Sequence, residues 1–155
     1  MNDPLGDGAP LSAEVGAAPL TGRVLGSARS SFAVAEWTDP GGEPDPPRFV
    51  APFHVHEQDD EAWYVLEGTL RFRLGDRELD VAAGSAILVP RGTAHTFWNP
   101  HRERARYLIV MTPNILGLIE DIHALADRDA GAMRAVFARH DSRLVEPRSR
   151  DDDDG

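Results

Sequence analysis

Between Phe49 and Met111 the chain alternates apolar and polar positions in short runs broken by turn residues. Leu70-Arg-Phe-Arg-Leu74 swaps apolar for charged at every step, the pattern of a strand with one face buried. Comparable runs occupy residues 49–56, 62–66, 78–81, 85–89, 95–98 and 104–112. Gly68-Thr69 and Gly75-Asp76 supply turns between them. Strands this short, with no helix between them, predict an antiparallel sandwich or barrel. Upstream, a first strand is expected near Thr21 and another over residues 31–37. In the latter, Phe32 and Val34 alternate with alanines and Trp37. Residues 39–47 hold four prolines and two glycines and read as a stiff loop.

The period changes after residue 112. Thr112-Pro113 has the form of a helix start, with threonine as N-cap and proline in the first turn. Ile115, Ile119 and Ile122 recur at helical spacing, as do Met133, Val136, Phe137 and His140. The expected organisation is a loosely draped or disordered segment over residues 1–20, a β-barrel over 21–112, a helical extension of one or two short helices over 113–146, and an acidic disordered tail over 147–155. The helices are expected on the barrel's outside or across its mouth.

Composition narrows the function classes. The chain has 155 residues, enough for one domain with its own core. It has no cysteine, which excludes disulfides, thiolate metal sites and thiol catalysis. Its formal net charge is −10, which disfavours nucleic acid and anionic membrane surfaces as partners. No apolar run approaches the ~20 residues of a membrane span, and the start lacks the layout of a secretory signal. A cytoplasmic location is expected.

The chemistry concentrates at Pro52-Phe-His-Val-His56 and the residues after it. His54 and His56, two apart on a strand, share a face. Glu61 follows after a turn, and His95 opens a later strand. Three imidazoles and a carboxylate suit one divalent ion such as iron, manganese, nickel, cobalt or zinc. Strand parity places Trp63 and Val65 on the side of Glu61, and Phe97 on the side of His95, as walls of a small-molecule pocket. Tyr107 is a further pocket candidate, although both faces of its strand are apolar. Glu57 is a weak candidate for a general base at the rim; a solvated acidic turn is the plainer reading for Glu57, Asp59 and Asp60. His101, His123 and His140 have no comparable company and read as structural or solvated, and Arg71 and Arg73 as facing solvent.

His54-x-His56-x4-Glu61-x6-Gly68 resembles the first motif of the cupin superfamily. Gly84-x5-Pro90-x-Gly92-x2-His95-x3-Asn99 resembles its second, with every position filled. Arg48 stands where the first motif commonly opens with glycine. The resemblance implies a double-stranded β-helix, or jelly roll. It also implies that His54, His56, Glu61 and His95 hold one metal ion with open positions for water or substrate. Among cupins the chain is most similar to the small quercetin-dioxygenase-like members, so a metal-dependent dioxygenase is the expected activity. The rival readings are a redox-neutral cupin (a polyketide cyclase, isomerase or lyase) and a non-catalytic binding or sensor module. A homodimer is expected, with the region from Phe32 to Trp37 as its contact.

Overall fold

The computed structural model describes residues 13–16, 20 and 23–146. The expected N-terminal segment lies largely outside the described residues, and the acidic tail wholly so. The described strands, in chain order, are β1 (Val24–Leu25), β2 (Ala33–Asp39), β3 (His54–His56), β4 (Glu61–Glu67), β5 (Thr69–Leu74), β6 (Arg77–Ala82), β7 (Ala86–Val89), β8 (His95–Trp98), β9 (Ala105–Met111) and β10 (Ser142–Leu144). Two helices, α1 (Pro113–Ala124) and α2 (Ala130–Arg139), lie between β9 and β10.

The strands form two five-stranded sheets, ordered β1-β2-β9-β4-β7 and β10-β3-β8-β5-β6. Every pairing is antiparallel. Facing sheets with these crossovers make the antiparallel sandwich that the alternating pattern predicts, of the jelly-roll type that the resemblance implies. Parity does the sorting. On β5, Leu70 and Phe72 are buried, while Arg71 pairs with Asp80 across the hairpin at 2.7 Å. On β4, Glu61, Trp63 and Val65 turn inward, and on β8 so do His95 and Phe97. Trp63, Phe72, Phe97 and Tyr107 interlock at ring separations of 5.1 to 5.7 Å. Such pairs contribute about 0.5–1.5 kcal/mol each beyond the area they bury.

Gly68 links β4 to β5 with φ 74°, and a Cβ there would collide with the carbonyl oxygen of Arg104. Only glycine meets both demands. Asn99 closes the β8–β9 turn, its amide donating to the Glu103 carbonyl at 2.7 Å and its oxygen accepting from His101 N at 3.0 Å.

The first helix begins where the sequence predicts. Thr112 caps α1 through a bond from Ile115 N, and Asp129 caps α2 through one from Ala132 N. Leu118, Val136 and Phe137 form a second apolar cluster between them. Neither helix is long and apolar enough to cross a membrane.

Three elements differ from expectation. The run 49–56 is a strand only at His54–His56; Pro52 has no amide hydrogen to give a ladder. In β2 the inward residues are Ala33 and Ala35, and Phe32 points out, 61 % exposed. Alternation alone does not say which face is buried, and small residues here leave room for the aromatic rings opposite. Finally, residues 142–144, expected within a helical extension, form β10 and extend the second sheet beside β3.

Candidate metal centre

Four polar side chains meet between the sheets. His54 and His56 come from β3, His95 from β8, and Glu61 from the opposite sheet on β4. The β3–β8 register sets His54 directly beside His95. All four are buried, and one ligand-type atom from each lies within 4.8 Å of the others.

The hydrogen bonds around the imidazoles decide which nitrogens face inward. His54 Nδ1 bonds the Pro52 carbonyl at 2.5 Å, and His95 Nδ1 bonds the Thr93 carbonyl at 2.9 Å. A carbonyl only accepts, so both Nδ1 atoms carry hydrogen. His56 Nδ1 lies 2.8 Å from Ser142 Oγ. The three Nε2 atoms then converge. His54 Nε2 and His56 Nε2 are 3.1 Å apart, and Glu61 Oε2 lies 3.3 Å from His56 Nε2 and 3.4 Å from His95 Nε2. His95 Nε2 has no well-formed hydrogen bond among the described residues. Lone pairs and a carboxylate aimed at one point repel unless protons or a cation sit among them. The donor set therefore fits a borderline divalent ion, which can be held by His54, His56, Glu61 and His95.

Electrostatics agree. Burial, together with the nearby His95 and His56, lowers the pKa of His54 from 6.5 to about 3, so its imidazole is neutral at ordinary pH. Burial alone would raise Glu61, but hydrogen bonds and charge from His56 and His95 outweigh it and bring its carboxyl down to about 2. The carboxylate is ionised and the first imidazole is uncharged, the states that metal binding requires.

A cavity of about 380 Å³ opens against this cluster, with His54, His56 and Glu61 in its wall. Trp63, Phe97, Tyr107 and Ile109 line it from the barrel; Ile115, Leu118, Met133 and Phe137 line it from the helices. The extension thus forms one side of the cavity. Burial, with Asp39 and Glu61 nearby, pushes the Tyr107 hydroxyl up and keeps it protonated. Trp63 Nε1 is buried and has no hydrogen-bond partner among the described residues.

Other expected site residues lie elsewhere. Val65 is buried in the core and is not among the residues lining the cavity. Glu57 is on the surface, paired with Arg143 at 2.7 Å, and does not line the cavity. Asp59, read as a solvated acid, is buried and accepts bonds from Thr112 Oγ1 and Asn114 Nδ2, each at 2.7 Å. His140, read as structural or solvated, bonds Asn114 and Asp121 at the end of α2. Asp39 and Arg128 line the cavity without having been singled out, and His123, read as structural or solvated, lines it too. The end of β2 delivers Asp39, the end of α1 delivers His123 and the helix connection delivers Arg128, and no local period reports which of them faces the cavity.

Residues 43–111 match the Cupin domain family. Among solved structures, a sugar phosphate isomerase from a cupin superfamily of Silicibacter pomeroyi is 27% identical, over 54% of this chain and 51% of that one, with a TM-score of 0.47. TT1209 from Thermus thermophilus is 29% identical over 55% of this chain and 76% of its own, with a TM-score of 0.46. A cupin-2 domain containing protein from Shewanella frigidimarina is 22% identical over 53% and 71%, with a TM-score of 0.44. The chain spans about half the length of the isomerase it resembles. No curated protein matches it in sequence. The matched residues hold both histidine-bearing motifs and supply most strands of the two facing antiparallel sheets, so the chain carries a segment that matches the cupin domain family.

Proposed function

We propose that the protein is a metal-dependent enzyme acting on a small, largely apolar molecule that presents one anionic oxygen donor, with dioxygenase-like chemistry. The observation that carries this reading is the convergence of three Nε2 atoms and the Glu61 carboxylate beside a cavity with mostly apolar walls. His54, His56, Glu61 and His95 would hold the ion. Three neutral imidazoles and one carboxylate leave a divalent ion near +1, which favours an enolate, phenolate or carboxylate oxygen as the incoming ligand. When bound, the ion would supply Lewis-acid polarisation and, if redox-active, a place for dioxygen chemistry.

The chain's own residues do the rest. Trp63, Phe97 and Ile109 accommodate an apolar body, and α1 and α2 exclude water from it. Trp63 Nε1–H and the protonated Tyr107 hydroxyl are donors that a substrate oxygen in the cavity would satisfy. A redox-neutral cyclase, isomerase or lyase has one observation in its favour: Asp39 and His123 line the cavity apart from the four-residue cluster and are able to move protons. Metal analysis of protein purified without chelators, followed by oxygen-uptake assays with enol and phenol substrates, tests the proposal. Turnover undiminished under anaerobic conditions would select the redox-neutral reading.

We also propose that the protein pairs with a second copy through the outer face of β1-β2-β9-β4-β7. Register lines up Val34, Val110, Ala62 and Leu88 across four strands, with Leu108, Tyr64 and Ala86 in the next row. Leu88 is 63 % exposed and Tyr64 42 %. A contiguous apolar face of this kind is characteristic of an interface. Light scattering on Leu88→Glu, expected to be monomeric, checks it against a dimeric wild type.

A further inference from the structure

We infer that Ser142, on the C-terminal strand β10, is a positioning residue for His56. It fixes the orientation and tautomer of that imidazole so that Nε2 is the nitrogen offered to a cation. The inference rests on reading the four-residue cluster as a metal centre, and it extends the centre to an element beyond the residues 43–111 that match the family.

The argument begins with a difference among the histidines. His54 and His95 each bond a backbone carbonyl two residues upstream, at Pro52 and Thr93. A carbonyl can only accept, so local backbone alone forces those two tautomers. His56 bonds a hydroxyl 86 residues away in sequence. A hydroxyl can donate or accept, so a further contact has to decide the direction. That contact is the His140 carbonyl, which accepts from Ser142 Oγ at 3.0 Å. With its one hydrogen committed there, Oγ has only lone pairs to show His56, and Nδ1 must carry the hydrogen.

The His140 carbonyl is itself held. It also accepts from Asn114 Nδ2 at 2.8 Å, and the same amide donates to Asp59 Oδ2 at 2.7 Å. Asp59 is anchored in turn by Thr112 Oγ1 at 2.7 Å. A chain of bonds thus runs from the turn before Glu61, through the start of α1 and the end of α2, to the ring of His56. The backbone supports the same geometry: β10 pairs with β3, setting Ser142 opposite His56 and Leu144 opposite His54. Ser142 is buried, so water does not compete for its hydroxyl.

Two readouts on the full-length protein test this. In the metal-free protein at about pH 8, above the ordinary range of imidazole titration, proton–nitrogen NMR correlations should show His56 as the Nδ1–H tautomer. Ser142→Ala should release that tautomer and weaken cobalt(II) affinity by about 10- to 100-fold, as loss of a ligand's supporting bond does elsewhere. Ser142→Thr, which keeps the hydroxyl, should restore both. A merely structural serine would leave the tautomer unmoved. If Ser142→Ala binds cobalt(II) like wild type with His56 unchanged, the inference is overturned. If Ser142→Ala does not fold, Ser142→Cys, a close isostere and weak acceptor, carries the same two expectations. A wild type that binds no cobalt(II) defeats the metal reading, and the tautomer comparison then decides the role of Ser142 by itself.

Discussion

The space between the two sheets is filled on opposite principles at its two ends. Along β4 the inward positions run Glu61, Trp63, Val65, and along β8 they run His95, then Phe97. Both strands start with a side chain suited to holding an ion and continue with packing groups. At the aromatic end, Phe72 stacks on Phe97 at 5.3 Å and every ring finds its partner within the chain. At the imidazole end, nitrogen lone pairs and a carboxylate point at one another. Apart from Trp63 Nε1, which has no hydrogen-bond partner among the described residues, the first arrangement is complete when the chain folds. The second is complete only when something enters it. Buried polar groups without partners cost stability, so the aromatic end is what allows the other end to stay poised.

The sharpest test of this division is Phe72→Ala. Phe72 is fully buried, and its loss should cost about 3–5 kcal/mol in thermal or urea unfolding. Molecules that remain folded should still bind metal. His95→Ala should do the reverse. Metal affinity should fall by more than the ~100-fold that loss of a supporting bond costs, while the metal-free protein loses far less stability than with Phe72→Ala. Equal destabilisation by the two substitutions would erase the distinction.

Acid should act on the imidazole end and leave the aromatic end untouched. His54 has a folded pKa of about 3 against 6.5 when unfolded, so the unfolded chain takes up the proton first as pH falls below 6.5. Stability should drop through that window by up to about 1.4 kcal/mol per pH unit. Glu61, at about 2 when folded against 4.5, adds a loss in the same direction below pH 4.5. Denaturation midpoints of the metal-free protein measured from pH 7 to about pH 4 check this; a flat profile would mean that His54 is not held neutral. Thr112→Ala removes the α1 cap and one anchor of Asp59 and should cost about 1 kcal/mol. Glu57→Gln breaks only an exposed pair with Arg143 and should change stability by less than about 0.5 kcal/mol.

Much of this contrast is legible in the sequence. The strict alternation of residues 70–74 announces a half-buried strand, and the His54, His56, Glu61 and His95 spacing places four ligand-type residues on inward positions. Tertiary context supplied the rest. Residues 142–144 are too short to show a period, and they form a strand because β3 offers them an edge. Asp59 stands in an acidic run that looks solvated, and it is buried because Thr112 and Asn114 arrive from 53 and 55 residues away. His123 and Arg128 reach the cavity through the way α1 and α2 dock, which no local pattern encodes.

The late position of β10 has a temporal consequence. A ribosome delivers His54, His56, Glu61 and His95 well before Ser142, yet β3 meets β8 at a single residue pair and gains its second neighbour only from β10. Closing a loop that long is slow relative to forming the local hairpin of β5 and β6. The nascent protein therefore passes through an interval in which its ligands exist but the geometry of one is not fixed. Fixing the orientation of the His56 ring then waits for β10, because the hydroxyl that holds its Nδ1 arrives only with Ser142.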